Sequence, residues 1–463
     1  MVQSKKKLID ETARVIGSDN VITDLTRLDE HSWDALSESR LHPLNQPDIA
    51  LPLCVVLPNS TAEVRQIVLL ANAEKTPIIP YGGGSGLMGG ALSIRPAMVL
   101  DLGRMNRILE VDAEARLARV QAGCVLEAVD KKLNQEGFIL GHDPWTVPVA
   151  TIGGAISTNS MGYRGGKYGS MGAQVLGLEA VLPNGEIVTT RAVPKSSAGI
   201  DLKSLFIGGE GCFGVVTEAT IRIFSKPEKR ALHAIAFVSF EQGYGAIQKM
   251  FARGLQPAMV DFGDDADKFE GAALYLAFEG VKEIVAAEEK LALSLCDEAG
   301  GRRLPQEEAE EFWRNRHVIA RRFMENRRQR RERGRDGIYR DWIHVALPAS
   351  KVLPFRTAAR EIIAKRGVHL QESGLWVCPE LFSMRLGVED DGKNNAQFAL
   401  EETVDELLRL VQQMGGSMEY THGVGVKLAP LMAEEHGYGL EVMRKIKQVL
   451  DPNQIMNPGK MGL

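Results

Sequence analysis

Apolar runs and helical repeats alternate along the first part of the chain. Residues 54–57 and 77–79 are short apolar runs of the kind that forms buried strands. Between them, residues 60–63 read Ser-Thr-Ala-Glu, a capping box that marks the start of a helix. Behind this box, apolar residues recur at helical spacing, at Val64, Ile67, Val68 and Ala71. The pattern predicts a strand, a helix and a second strand that ends at residue 79.

Further elements follow from the same pattern. Apolar runs predict strands at residues 98–102 and 118–122, and residues 125–135 have the spacing of a helix. Residues 175–188 form two apolar runs joined by an Asn-Gly pair, which is a strong hairpin signal. Another helix is predicted at residues 440–450.

The composition and the apolar pattern of the chain change after residues 226–228, which read Lys-Pro-Glu. The part before them is interrupted by three glycine-dense loops, whereas residues 230–415 combine amphipathic helices and apolar strands with few such loops. The sequence is glycine-rich again after residue 415. A chain of 463 residues exceeds what one hydrophobic core usually serves, so two domains are predicted.

Composition narrows the class of protein and its compartment. The chain is 44% hydrophobic and 25% charged, close to the average of globular proteins, and its formal net charge of −5 argues against a general nucleic-acid binder. The 5 cysteines are far apart and suit neither a disulfide framework nor a metal knuckle, which fits a reducing compartment. No run is long and apolar enough for a membrane span. We therefore expect a cytoplasmic protein.

Residues 80–90, Pro-Tyr-Gly-Gly-Gly-Ser-Gly-Leu-Met-Gly-Gly, form the first glycine-dense loop. Glycine lets a backbone approach a ligand closely and point successive N–H groups at an anion. A Rossmann dinucleotide loop is a weaker interpretation, because the strand at residues 98–102 follows too soon for the helix which that motif needs. A glycine-rich turn without a ligand is the other alternative. We interpret the loop as a cradle for a pyrophosphate.

Two further segments have a similar composition. Residues 143–162 alternate small residues and hydroxyls without a helical or strand period, which suggests donors around a polar ligand. A loop packed tightly against a sheet is an equal alternative for this segment. Residues 206–217 form a third glycine-dense segment that leads into a strand. Together the three segments would let one elongated ligand lie across a single domain, with its pyrophosphate at the first loop.

The second half of the chain adds two candidate features. Ten arginines fall between Arg314 and Arg335. A solvated helix face is the usual interpretation of such a run, and a site for an anion, an acidic lipid or an electron-transfer partner is the sharper one. Closer to the C-terminus, His422 is bracketed by glycines in a predicted loop, where a ligand can reach it.

Together these segments resemble the flavoprotein family of vanillyl-alcohol oxidase and p-cresol methylhydroxylase. They are most similar to its branch of D-lactate, glycolate and D-2-hydroxyglutarate dehydrogenases and alkyldihydroxyacetone-phosphate synthase. The resemblance is carried, in the family's order, by residues 80–92, 150–179, 209–217, 422–425 and 451–460.

The resemblance implies an α+β fold with two domains. A PCMH-type FAD-binding domain would comprise residues 1–228 and be completed by residues 430–463, and a cap domain of antiparallel sheet plus helices would comprise residues 229–429. The cofactor implied is FAD. Some relatives attach it through a histidine in the first loop or a cysteine near the second, and this chain has neither, so noncovalent FAD is expected, with His422 as the residue to check for a covalent link. The residues expected at FAD are Pro80, Tyr81, Gly82, Gly83, Gly84, Ser85, Gly86, Leu87, Gly89, Gly90, Pro144, Pro148, Thr151, Ile152, Gly153, Gly154, Ser157, Thr158, Gly162, Glu210, Gly211, Gly214, Val215, Val216 and Asn457.

The resemblance also implies catalytic residues. His422 occupies the position of the family's catalytic histidine, which would take a hydroxyl proton while the flavin accepts the hydride. Arg316 falls where an arginine of these dehydrogenases grips the substrate carboxylate. Tyr420 together with His422 would instead suit a phenol or an aromatic alcohol. Five apolar side chains would either line an apolar pocket or pack in the core: Trp145, Trp313, Trp376, Phe382 and Met384.

Departures from the family concern the metal and the substrate. Metal-dependent members have a His-x-Gly-Asp-Gly-Asn-x-His segment, and the corresponding residues 374–386 contain no histidine. Thr421 stands where those members have a glutamate, and Ala320 where some have a threonine. No metal site is expected, and the case for a short 2-hydroxyacid as the substrate is weaker.

The sequence thus predicts an FAD-dependent oxidoreductase that acts on the CH–OH group of a small molecule such as a D-2-hydroxyacid. The alternatives are a flavin transferase similar to alkyl-phosphate synthase, an oxidase of a phenolic or aromatic alcohol, and a non-enzymatic flavin-binding module that docks through its arginine-rich segment. Oxygen or an electron-acceptor protein would reoxidise the flavin. A homodimer is left open.

Overall fold

The structure, a computed structural model, describes residues 2–37, 40–41, 49–265, 270–325, 337–390, 392 and 395–463. The strands of these residues are β1 (Val21–Ile22), β2 (Cys54–Val56), β3 (Ile78–Tyr81), β4 (Met98–Asp101), β5 (Ile108–Asp112), β6 (Leu117–Gln121), β7 (Phe138–Ile139), β8 (Val175–Val181), β9 (Ile187–Thr189), β10 (Val215–Arg222), β11 (Phe224–Ser225), β12 (Lys229–Phe237), β13 (Met259–Asp265), β14 (Ala272–Gly280), β15 (Arg302–Arg303), β16 (Ile338–Ala346), β17 (His369–Trp376) and β18 (Leu381–Glu389).

The helices are interspersed among these strands. They are α1 (Val2–Ile16), α2 (Leu25–Glu30), α3 (Thr61–Ala73), α4 (Leu126–Gln135), α5 (Ile152–Thr158), α6 (Gly165–Tyr168), α7 (Met171–Gln174), α8 (Phe240–Ala252), α9 (Lys282–Glu298), α10 (Gln306–Asn315), α11 (Val318–Glu325), α12 (Ala349–Lys365), α13 (Asn395–Gln413), α14 (Met432–His436) and α15 (Tyr438–Leu450).

Among the described residues, the N-terminal part contains two larger sheets and the two-stranded pair of β7 and β11. The first has the order β1-β2-β4-β3, in which β2, β4 and β3 are parallel and β1 is antiparallel. The capping box that starts α3 is present, since the Ser60 hydroxyl accepts a hydrogen bond from the Glu63 N–H at 3.2 Å. The second sheet, β5-β6-β10-β8-β9, is antiparallel, and its β8–β9 pair is the hairpin that the Asn-Gly signal predicts.

The C-terminal part is built on one large antiparallel sheet. Its order is β15-β12-β14-β13-β17-β18-β16. Residues alternate strictly along β16, with Tyr339, Asp341, Ile343 and Val345 buried on one face. His344 consequently lies on the opposite face. The expected α+β fold, with an antiparallel sheet and helices in its second half, is confirmed.

The end of the chain returns to the first sheet. The N–H of Ile78 in β3 donates to the Ile455 carbonyl at 2.7 Å, and the N–H of Asn457 donates to the Ile78 carbonyl at 2.8 Å. Residues 430–463 thus contact the N-terminal part, as the expected completion of the first domain requires. The exact domain boundaries stay a prediction.

The second glycine-dense segment contains a short helix that its sequence does not signal. The helix α5 begins after Thr151, whose hydroxyl accepts the Gly154 N–H at 3.3 Å. Only Ile152 and Ile156 mark its buried side, so the apolar spacing is too short to be recognised. A β-carbon on Gly153 would lie 2.9 Å from the Ala122 β-carbon, so small residues are needed where α5 packs.

The structure shows the state of the cysteines and the apolar character of the helices. All 5 cysteines are free in the structure, and 4 of them are buried. Over the described ranges, no helix combines the length and apolar character that crossing a bilayer requires.

Candidate active site

The three glycine-dense segments converge on one cavity of about 340 Å³. Their residues in the ranges 80–91, 144–163 and 210–216 form one side of it. The opposite side comes from cap strands, at residues 372–383, and from the loop at residues 420–422. One cavity is therefore lined both by the predicted cofactor segments and by the predicted catalytic histidine.

Most residues expected at the cofactor line this cavity. They are Pro80, Tyr81, Gly82, Gly83, Gly84, Ser85, Gly86, Leu87, Gly90, Pro144, Thr151, Gly153, Gly154, Ser157, Thr158, Glu210, Gly211, Gly214, Val215 and Val216. The remaining expected residues, which lie behind the lining, are Gly89, Pro148, Ile152, Gly162 and Asn457.

The expected residues that do not line the cavity support the segments that do. The Asn457 amide donates to the carbonyl oxygens of Gly90 at 2.8 Å and of Glu210 at 2.6 Å, so it joins the first and third segments. Ile152 is completely buried in the core. Gly89 has φ +79°, and a β-carbon there would lie 2.6 Å from the Val426 side chain.

Close approach between the first and second segments explains two of the glycines. A β-carbon on Gly82 would collide with the Thr151 hydroxyl, and one on Gly83 would collide with the Val149 carbonyl oxygen. The cavity wall is consequently backbone on this side. Among the described residues that line the cavity, none is a lysine or an arginine, so backbone N–H groups would have to hold a diphosphate. This side-chain-poor wall fits FAD.

Glu210 connects the cofactor side to the loop that carries His422. Its Oε1 accepts the Val424 N–H at 2.5 Å, and its Oε2 accepts the Gly425 N–H at 2.8 Å. Burial raises the pKa of Glu210 to about 7, although these two hydrogen bonds favour the charged form. The cofactor wall and the catalytic loop are thus held together by a buried carboxyl group.

His422 is backed by a carboxylate. Its Nδ1 lies 3.4 Å from Oε1 of Glu419, longer than an ordinary hydrogen bond. The same oxygen accepts the N–H groups of Tyr420, Thr421 and His422 at 3.0, 2.8 and 3.0 Å. Burial alone would raise the pKa of Glu419, but the imidazole and these N–H groups outweigh it and lower the pKa below its usual value. Glu419 is therefore a fixed, charged neighbour of the imidazole.

His344 in β16 is a second histidine at the cavity, and the sequence does not reveal it. Its ring lies 4.4 Å from that of His422, at an interplanar angle of 80°. Burial, and next the adjacent His422, lower the pKa of His344 to about 3, so the ring is neutral. Donor atoms of His344, Glu419 and His422 all lie within 4.8 Å of one another, close enough to consider a metal ion. The expectation of no metal stays a prediction.

Aromatic side chains line part of the cap side. Tyr420 reaches the cavity with a buried hydroxyl that has no hydrogen-bond partner, and burial raises its pKa well above the usual value. Trp145 and Trp376 also line the cavity. Phe382 and Met384 are buried in the core instead, as the packing alternative predicts.

Arg316 does not line the cavity. Its Nε lies 3.0 Å from the Asp143 carboxylate, and its guanidinium lies 3.8 Å from the centre of the Trp313 ring. Burial would raise the pKa of Asp143, but Arg164 and His317, with Arg316 itself, hold it below the usual range. A grip on a substrate carboxylate would therefore require this ion pair to separate.

The arginine-rich run is described only in part. Arg321 pairs with Glu127 at 2.7 Å on the surface, as a solvated helix face predicts. Residues 326–336, which include most of the run, lie outside the described residues. The role of the run stays a prediction.

The fold and this cavity define a two-domain flavoprotein with a cap over its cofactor site. Comparison with protein families supports this class. Residues 52–191 match the family described as an FAD binding domain, and residues 226–461 match the C-terminal domain of FAD linked oxidases. The chain belongs to the FAD-linked oxidases, and it is an FAD-dependent oxidoreductase.

Individual relatives agree with this family. The chain is 29% identical over 430 residues to the glycolate oxidase subunit GlcD of Bacillus subtilis, covering 89% of each protein. It is 31% identical over 447 residues to a D-lactate dehydrogenase of Archaeoglobus fulgidus, covering 92% of this chain and 95% of that one. The structure of p-cresol methylhydroxylase with substrate bound matches at a TM-score of 0.80 and 19% identity, over 100% of this chain and 98% of that one. The resemblance predicted from the sequence is confirmed.

Proposed function

We propose that this oxidoreductase acts on the CH–OH group of a small molecule, with His422 as the base. FAD, when bound, accepts the hydride that leaves the substrate carbon. The His422–Glu419 pair carries the proposal, because His422 lines the same cavity as the cofactor segments and Glu419 lies beside its ring. Removal of the hydroxyl proton by His422 would assist the departure of the hydride.

Glu419 prepares the imidazole for this role. A carboxylate beside Nδ1 favours the tautomer in which Nδ1 carries the hydrogen, so Nε2 keeps the lone pair. Since three backbone N–H groups hold Glu419, little reorganisation is needed when the substrate arrives. The neutral His344 ring packs edge-on against the imidazole and limits its rotation.

Two substrate classes have support. The relatives named for glycolate and D-lactate support a 2-hydroxyacid. An aromatic alcohol is supported by the rings of Trp145, Tyr163, Trp376 and Tyr420 at the cavity, where the described lining offers no lysine or arginine to a carboxylate. Anaerobic flavin bleaching by lactate, glycolate, benzyl alcohol and vanillyl alcohol would rank the two classes. Bleaching without net oxidation of the product would support the transferase alternative.

The test of the base is His422→Ala. The variant is expected to stay yellow but to show flavin reduction by its substrate at least ~100-fold slower, the scale of acid–base catalysis. The matched control is His436→Ala, at an exposed histidine at the end of α14, which should reduce at the native rate. Native-rate reduction in His422→Ala would remove the assignment.

We also propose that FAD is bound noncovalently. The first two segments contain no cysteine and no histidine at the cavity, although His344 and His422 line its cap side. Acid precipitation should leave all of the yellow colour in the supernatant. Colour retained in the pellet would instead indicate a covalent link, and the His422→Ala variant would show whether it is made there.

A further inference from the structure

A second cavity, of about 400 Å³, lies where the end of α4, the start of β12 and the end of α10 meet. None of its described lining residues belongs to the flavin cavity. We call it the junction pocket, and it is lined by Asn134, Ile139, Arg164, Lys226, Pro227, Arg230, Trp313 and Arg316. Half of this lining is basic, so the pocket differs chemically from the flavin cavity.

The positive charge of the junction pocket is only partly balanced. Asp143 pairs with Arg316 at 3.0 Å and lies 3.5 Å from Nε of Arg164. Glu279 pairs with Arg230 at 2.8 Å and lies 3.8 Å from the same Arg164 atom. These two carboxylates are buried, and four basic side chains line the pocket. A surplus of positive charge therefore remains for a ligand in the pocket.

The guanidinium groups are also held in place in advance. The Trp313 ring lies 3.8 Å from the guanidinium of Arg316 and 4.4 Å from that of Arg230. Arg164 is 6% exposed, and its Nε lies between two carboxylates, 3.5 Å from Asp143 and 3.8 Å from Glu279. Asp130, whose charge also acts on Arg164, is a third carboxyl group beside the four basic side chains, and burial raises its pKa. Guanidinium groups fixed in this way suit a planar or tetrahedral oxyanion.

We propose that the junction pocket binds a small oxyanion with more than one negative charge, such as phosphate or a polycarboxylate. Arg164 comes from the predicted FAD domain, whereas Arg230 and Arg316 come from the predicted cap. An anion bound between them would be contacted by both parts and would stabilise their association. The exposed Lys226 lies in the segment that joins the two parts and would complete the site.

The experiment uses the FAD-loaded enzyme without substrate. Inorganic phosphate and citrate are titrated separately at constant ionic strength, with sodium chloride as the balancing salt, while calorimetry and Tm are recorded. We expect saturable binding with a Kd of about 1 mM for at least one of the two anions. Phosphate binding alone would assign a phosphate or phosphoryl ligand, and citrate binding alone a polycarboxylate. Substrate oxidation is not measured, so failure of the proposed function would leave this result intact.

Three variants make the result specific to the pocket. Arg230→Gln should weaken binding at least ~10-fold, because it removes a charged hydrogen-bond donor. Lys226→Ala should weaken it about 3-fold, as for an exposed charge, and this variant decides the matter if Arg230→Gln does not fold. The matched control is Lys229→Ala, whose amine pairs with Glu289 at 2.7 Å outside the pocket, and it should bind like the native protein. Absence of saturation, or equal weakening in Lys226→Ala and Lys229→Ala, would show general ion screening and overturn the proposal.

Discussion

The two walls of the flavin cavity are built in different ways. The wall at residues 80–90 and 151–158 is largely backbone. It has few side chains because the two segments approach each other so closely that glycines are needed there. The cap wall is made of side chains, such as His344 and Trp376, that come from different strands of one sheet. A backbone wall depends on local sequence, whereas a side-chain wall depends on which strands pair. The cofactor can therefore be recognised from short motifs, and the substrate cannot.

The largest effect is expected from a substitution that disrupts the backbone wall. In Gly83→Ala the new β-carbon would collide with the Val149 carbonyl oxygen, which cannot move aside as a flexible side chain would. Overpacking of this kind costs about 1–3 kcal/mol, so FAD affinity should fall by about 10- to 100-fold, as measured by fluorescence titration of the apoprotein. Gly245→Ala, in α8, where an added β-carbon would meet nothing within 4 Å, is the matched control and should change affinity less than ~2-fold. Equal affinity of Gly83→Ala and the native protein would contradict a close-packed backbone wall.

A smaller effect is expected on the cap wall. Glu419→Gln keeps an acceptor for the backbone N–H groups but removes the charge beside His422. Flavin reduction should slow by about 10-fold, the lower end for loss of a residue that orients a catalytic group, with FAD affinity unchanged. Glu434→Gln, at a surface pair with Arg409, is the matched control. A parallel loss of FAD affinity would mean that Glu419 has a structural role in the cofactor wall instead.

The connection between the two walls should depend on pH. Because the pKa of Glu210 rises from 4.5 to about 7 in the folded protein, its protonated form is favoured there. Its contribution to stability is therefore fully present below pH 4.5 and is lost as the pH rises through about 7. Glu210→Gln removes this titration. The Tm of the variant minus the Tm of the native protein should therefore increase as the pH rises from 4.5 to about 7. A constant Tm difference between the two proteins would show that Glu210 does not titrate in this way.

The smallest effect concerns the histidine pair of the cap wall. Dialysis against EDTA is expected to change the rate of flavin reduction less than ~2-fold, because the family's metal-binding segment is missing at residues 374–386. A greater loss that zinc restores would mean that His344, Glu419 and His422 hold a metal ion, as their proximity permits.

Local signals account for what could be predicted of the fold. The capping box at Ser60, the β8–β9 hairpin and the glycine loop at residues 80–90 each depend on neighbouring residues, and each is present in the structure. The fold class and the cofactor followed from the family resemblance that such motifs carry. The helix α5 was missed because two buried isoleucines four positions apart do not establish a period.

Long-range pairing explains what could not be predicted of the site. His344 reaches the cavity through the register of β16 with β18, in which it stands opposite Ser383. Arg316 was expected at the substrate, but Asp143, 173 positions earlier in the chain, holds it outside the cavity. Neither pairing leaves a trace in the spacing of nearby residues.

Residues 455–460 have a consequence for how the enzyme is made. The ribosome adds them after all the residues before them, yet Asn457 joins two of the loops around the cofactor and Ile455 extends the first sheet. A nascent chain can therefore form most of its helices and strands before it can close its flavin pocket. A stop codon at position 454 should therefore yield a protein that keeps most of these helices and strands and is colourless.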